Sequence, residues 1–173
     1  SADKLRGNQE LSDLTQALGC GSGKNFDLSK LRYERVVIMT NADVDGAHIA
    51  SLLMTFFYRE MPELVTSGHL YLAVPPLYRL ARGGDVVYAI DDADRERLTE
   101  EHFKGNGKIE ISRFKGLGEM PPAQLRDTTM HPDKRQMIQV SLPSATDSDK
   151  DRAKIAKATA QLVEQLMGRK AER

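Results

Sequence analysis

The chain has 173 residues and balances 25 Lys+Arg against 25 Asp+Glu, leaving no formal net charge at pH 7. That balance excludes a protein that wraps nucleic acid by bulk electrostatics, so any such contact must be local or shared with a partner chain. With 40% hydrophobic residues, 6% aromatics and no Trp, an aliphatic core of one domain, or one domain with an appended helix, is expected.

In chain order, Leu11, Leu14 and Leu18 form an apolar stripe that predicts a short helix over 8–18, ended by Gly19 and Gly21. A polar loop runs to about Lys30. Val36-Val37-Ile38-Met39 is an unbroken apolar run, the pattern of a strand covered on both faces as in a parallel sheet. The acidic stretch Asn41-Ala42-Asp43-Val44-Asp45-Gly46 follows. Ile49, Leu52, Leu53, Phe56 and Phe57 then repeat at helical spacing and predict a helix over 47–60 that stops before Pro62. Leu70 to Val74 and Val86 to Ile90 read as strands, the latter after the turn pair Gly83-Gly84. Residues 91–108 read as polar surface, and 109–113 as an edge or half-exposed strand. Lys115-Gly116-Leu117-Gly118-Glu119 is a glycine-rich loop, and Pro121-Pro122 opens a short helix to about Asp127. Met137 to Leu142 reads as a last strand. A polar linker over 144–151 leads to a C-terminal helix carrying Ile155, Ala158, Leu162 and Leu166 and ending near Gly168.

The lone cysteine, Cys20, rules out an internal disulfide and fits a reducing compartment, most simply the cytosol. No apolar run approaches membrane-spanning length and no signal-peptide pattern opens the chain, so no membrane association is expected. The start at Ser1-Ala2-Asp3-Lys4, without an initiator Met, leads us to expect a piece of a longer polypeptide.

Asp43 and Asp45 carry the most chemistry. They stand two apart just beyond a buried strand, at the sheet edge where open α/β folds bind ligands. Paired carboxylates repel each other, and a hard cation such as Mg²⁺ relieves that repulsion while sharing phosphate oxygens. Gly46 lets the backbone turn closely into the helix. A second reading stays open: Asp45 as the cap of a helix starting at Gly46 or Ala47, with Asp43 solvated. In Arg113-Phe114-Lys115-Gly116-Leu117-Gly118-Glu119-Met120 the glycines permit a tight loop, and Arg113 and Lys115 are natural phosphate contacts; an ordinary strand-to-helix turn is the alternative.

Together these segments resemble a known family. Ile38 to Ile49 resembles the acidic motif of the TOPRIM domain in the B subunits of type IIA DNA topoisomerases. Arg113 to Met120 resembles that family's second signature, and the intervening Pro75-Pro76-Leu77-Tyr78 matches in order. Phe114, the short stretch between Ile90 and Ile109, and His48-Ile49-Ala50-Ser51-Leu52-Leu53 resemble the topoisomerase IV branch more than gyrase, which stays as the alternative.

The resemblance implies a Rossmann-like α/β TOPRIM domain over 1–143, with a mostly parallel central sheet flanked by helices, and a linker and C-terminal helix over 144–173. Its first strand and catalytic glutamate segment, Glu-Gly-Asp-Ser-Ala, are expected upstream of this chain. It further implies a Mg²⁺-binding DNA-cleavage module, with Mn²⁺ or Ca²⁺ as substitutes for Mg²⁺. The partners implied are DNA and an A subunit that supplies the attacking tyrosine, two A with two B subunits. ATP would bind a separate N-terminal domain, and the setting would be the bacterial cytoplasm at the nucleoid.

The family's aspartate motif falls on Asn41, Asp43 and Asp45, as catalytic and metal-binding positions, with Lys115, Arg113 and His48 as DNA contacts. Asn41 departs from the pattern. An amide oxygen ligates a cation but brings no negative charge, so weaker Mg²⁺ binding is expected, and a variant that binds DNA or a partner without cleaving stays open. The 173-residue polypeptide alone is expected not to cleave DNA. His48 has a second reading, as a packed or solvent-facing helix residue. Asp91, Asp92 and Asp94 read as a solvated charge run, Cys20 as a small loop residue, and Arg32 and Arg35 as ion-pair partners.

Overall fold

A computed structural model describes residues 9–41, 43–105, 107–142 and 157–161. The chain divides into two compact units. The first takes the described residues of Ser1–Val36, Ser51–Leu70 and Gln139–Arg173, and the second those of Val37–Ala50 and Tyr71–Ile138.

In the first unit, helix α1 (Gln9–Leu18) buries Leu18 and ends at Gly19, whose φ of 76° is a left-handed conformation that favours glycine. The chain returns so that Arg32 N–H donates to the Leu18 carbonyl at 3.1 Å. Cys20 is buried, which pushes its thiol pKa up and keeps it an inert small residue rather than a nucleophile. Helix α2 (Val44–Glu60) contributes Phe56 and Phe57, packed edge to face at 5.5 Å, to this unit. Pro62 opens the short helix α3 (Pro62–Thr66), and Met61, Leu64, Val65 and Leu70 are buried with the phenylalanines.

The second unit is organised on a three-stranded antiparallel sheet of β3 (Tyr78–Arg82), β4 (Asp85–Ala89) and β5 (Glu110–Arg113), in the order β4-β3-β5. Gly83, at φ 62°, makes the tight β3–β4 connection with Gly84. Leu80 pairs with Val87 on one side and Ile111 on the other. The core is Tyr78, Leu80, Ala89 and Phe103, with Leu77, Val87, Leu98 and Ile109 packed against it. Strand β3 goes beyond the elements expected from the sequence, and so does helix α4 (Asp92–Glu101). The acidic run is the start of that helix. Asp91 caps it by accepting from Asp94 N–H at 2.8 Å, and the Asp94 carboxylate accepts from Ile90 N–H at 3.1 Å, a reciprocal cap.

Strands β1 (Val36–Ile38), β2 (Leu70–Ala73) and β6 (Met137–Gln139) form a second sheet, order β1-β2-β6. The doubly covered strand expected over Val36–Met39 is corrected here. Ile38 is buried, but Val37 and Met39 are 37% and 38% exposed, because β1 alternates faces and one face stays open among the described residues. The α/β class stands, while the β4-β3-β5 sheet adds an antiparallel component to the mostly parallel one expected. The helix expected after Pro121-Pro122 is a short α5 (Pro122–Leu125) running into a π-helical turn, Arg126–Met130. Residues 157–161 include a helical stretch with Ala158 exposed; Ile155, Leu162, Leu166 and Gly168 lie outside the described residues.

Candidate functional site: two loops joined at Asn41

The site lies within the second unit. Beyond β1 the chain passes through Asn41 and enters α2, which begins at Val44, earlier than its apolar spacing suggested. The cap is Asp43, not Asp45: Asp43 Oδ1 accepts from Gly46 N–H at 2.7 Å, and its carbonyl accepts from Ala47 N–H at 3.0 Å. Asp45 sits in the first helical turn, where its charge faces the positive end of the helix. Gly46 is required sterically. A Cβ there would lie 2.0 Å from the Asn41 carbonyl oxygen and 2.8 Å from its nitrogen, so the first turn of α2 rests directly on the Asn41 main chain.

The Asn41 side chain faces a second loop. Leu117 N–H donates to Asn41 Oδ1 at 3.0 Å, a bond between residues 76 apart in sequence. Gly116 packs against the same carboxamide, since a Cβ on it would lie 3.1 Å from Asn41 Cγ and Oδ1. The loop has one further tie to the chain before β3 and one within itself. Phe114 N–H donates to the Leu77 carbonyl at 2.9 Å, and Lys115 N–H donates to Glu119 Oε2 at 2.9 Å. Leu117–Glu119 is a single 3₁₀ turn. Pro75, Pro76, Phe114, Gly116, Leu117 and Met120 line a small crevice beneath it, with Met120 buried.

The residues singled out in the sequence are thus partly gathered. Asn41 and the Lys115–Glu119 loop are joined directly, and Asp43 adjoins Asn41 through the Gly46 turn. Asp45, His48 and Lys115 are exposed. Residues two apart at a helix start do not face each other. Among the described residues, no group of three or more His, Cys, Asp or Glu side chains is placed to hold a metal ion. The Arg113 guanidinium carbon lies over the Tyr78 ring, 5.8 Å from its centroid, and the residue stays exposed. Arg35 pairs with Glu34 at 3.8 Å, as expected.

Two further groups, both inside the second motif, belong to this arrangement without being among the expected site residues. Glu119 closes the glycine loop, and its spacing of four from Lys115 is the signal that could have found it. The Leu117 amide is a backbone group that no side-chain motif advertises.

A Toprim domain family model matches residues 4–75, and one for the carboxyl terminus of the DNA gyrase B subunit matches residues 106–173. The chain is 57% identical, over 99% of its length, to the B subunit of DNA topoisomerase 4 from Caulobacter vibrioides, covering 23% of that protein. It is 52% identical over 99% of its length to the B subunit of DNA topoisomerase 4 from Rickettsia prowazekii, covering 24% of that relative. With the B subunit of DNA gyrase from Thermotoga maritima it shares 49% identity over 87% of its length, covering 23% of that protein. A mixed α/β unit with an acidic strand-to-helix loop and these two matches defines a Toprim-containing protein. Over nearly its whole length the chain is similar to the B subunits of type II DNA topoisomerases. It spans about a quarter of the length of the curated relatives it matches.

Proposed function

We propose that this chain is the cation- and phosphate-facing part of a topoisomerase IV-like B subunit, which acts with an A subunit to cleave and religate duplex DNA for decatenation and relaxation. The observation that carries the reading is the hydrogen bond from Leu117 N–H to Asn41 Oδ1, which brings the acidic loop and the Lys115 loop to one place.

The donor set fits a hard divalent cation. Asp43 keeps Oδ2 free beside the oxygen used in capping, Asn41 Oδ1 keeps a second lone pair, and Asp45 adds a nearby negative charge. With so few charged oxygens the ion, Mg²⁺ first and Mn²⁺ or Ca²⁺ as substitutes, keeps most of its water shell. When bound, the cation supplies Lewis-acid stabilisation of charge on a phosphodiester. Lys115 and Arg113 bring positive charge to phosphate oxygens, and His48 extends that surface along α2. The partners in this reading are DNA and the A subunit, whose tyrosine attacks the phosphate. ATP binds elsewhere in the full protein, and the setting is the bacterial cytoplasm. Among the described residues no helix is long and apolar enough to cross a membrane.

The test is decatenation by the full-length B subunit assembled with its A subunit, comparing the parent with a variant carrying Asp43→Ala and Asp45→Ala together. Loss of Mg²⁺-dependent activity in the variant is expected; unchanged activity refutes the reading. A second reading, binding without cleavage, draws on the uncharged Asn41. It predicts a parent assembly that retains DNA yet never decatenates it.

A further inference from the structure

We infer that Asn41 is a phosphate-binding residue as well as a loop anchor: its amide oxygen holds the Lys115–Glu119 loop, and this turns its Nδ2 amino group outward as a donor to a phosphodiester oxygen. The first half stands on geometry alone; the second deepens the function proposed above and rests on it.

An asparagine amide has one oxygen and one nitrogen, and the hydrogen-bond network decides which is which. Here the network leaves no choice. The group facing the carboxamide is the backbone N–H of Leu117, at 3.0 Å, and an N–H pairs only with the oxygen. Gly116 lies over the same carboxamide: a Cβ on it would be 3.1 Å from Oδ1 and 3.2 Å from Nδ2. Nδ2 therefore points away from Leu117, and no hydrogen-bond partner of it occurs among the described residues. Asn41 is an exposed residue. An aspartate at this position would hold the same Leu117 N–H and present its second oxygen, an acceptor that repels phosphate. Asparagine presents two N–H bonds instead, near the cationic Lys115 loop. The substitution thus exchanges part of a cation site for part of an anion site while leaving the loop tie intact.

The experiment is NMR on the full 173-residue chain, in EDTA so that no divalent ion contributes, titrated with a short DNA duplex. The Asn41 Nδ2 proton signals are expected to shift and saturate together with those of Lys115. Movement at Lys115 without movement at Asn41 overturns the inference and leaves the proposed DNA contact standing; movement at neither refutes both. Amide exchange tests the anchor separately, without DNA. Leu117 exchange should quicken roughly fivefold in Asn41→Ala, which loses the acceptor. It should stay near the parent rate in Asn41→Asp, which keeps it. Equal exchange in all three chains overturns the anchor. Asn41→Leu, close to asparagine in size and without an acceptor, serves as the second acceptor-deficient variant if the alanine chain does not fold. DNA affinity in EDTA should fall several-fold in Asn41→Asp despite its intact anchor, a separation that loop damage does not produce.

Discussion

In the acidic loop a Cβ on Gly46 would lie 2.0 Å from a backbone oxygen, whereas in the loop after β5 a Cβ on Gly118 would meet nothing within 4 Å. Both loops are glycine-bearing turns from a strand into a helical element, yet they are held by different means. The acidic loop is fixed by main-chain packing and by the Asp43 cap. The other depends on two side-chain ties, Asn41 to Leu117 N–H and Glu119 to Lys115 N–H. Steric fixation tolerates no added atom at its contact point, whereas fixation by polar ties is lost one bond at a time. The loop proposed to place a cation is thus the more rigidly specified, and the loop proposed to touch phosphate is the more adjustable.

The sharpest way to break this contrast is Gly46→Ala. The added methyl has no route away from the Asn41 backbone, so the turn and the first turn of α2 must move, at about 3 kcal/mol, the upper range of overpacking costs. Denaturant unfolding measures it, and a loss under about 0.5 kcal/mol, below the usual overpacking range, denies the close approach. Asp43→Ala comes next. Removing the cap should cost about 1 kcal/mol and weaken Mg²⁺ binding, while Asp43→Asn should restore most of the stability and little of the binding. Stability and calorimetry on the pair separate cap from ligand; equal Mg²⁺ affinity of Asp43→Ala and the parent would remove Asp43 from the cation site.

Both loops are legible in the sequence as segments, since unusual residue types cluster in each. Their meeting is not, because it runs through the amide of Leu117, a group every residue but proline carries. Helix α2 is legible from its apolar spacing, but its true start is hidden, because two aspartates two residues apart are both chemically fit to cap it. Helix α4 is hidden because it lacks an apolar stripe. It is held by its caps and by ion pairs such as Arg95–Asp92 at 2.9 Å and Arg97–Glu101 at 3.0 Å. Strand β3 is hidden because buried Ala81 interrupts the alternation of Tyr78, Arg79 and Leu80. The expectation of a doubly covered β1 fails because an apolar run records composition, and composition does not say whether both faces find a cover.

A smaller effect sharpens the comparison at the point where the loops touch. Asn41→Asp should keep the Leu117 tie and add a charge beside Asp43, raising Mg²⁺ affinity a few-fold. The gain is limited because the site is exposed and solvent screens the added charge. Isothermal calorimetry compares the two chains directly, and equal affinity would show that this position contributes nothing to the cation.

The smallest effects belong to the two glycines around Leu117, and they differ for a physical reason. Gly116→Ala places its methyl 3.1 Å from a side-chain amide that can shift by a few tenths of an ångström. It should cost about 1 kcal/mol, at the low end of overpacking, and loosen the Leu117 bond. Gly118→Ala meets open space, and Gly118 is not among the glycines with positive φ. Its added Cβ restricts the unfolded chain more than the folded one, so the change should be neutral or stabilising by up to about 0.5 kcal/mol. Paired unfolding curves decide it. If Gly118→Ala is the more harmful of the two, the loop is held from the Gly118 side, and the Asn41 contact is not what positions it.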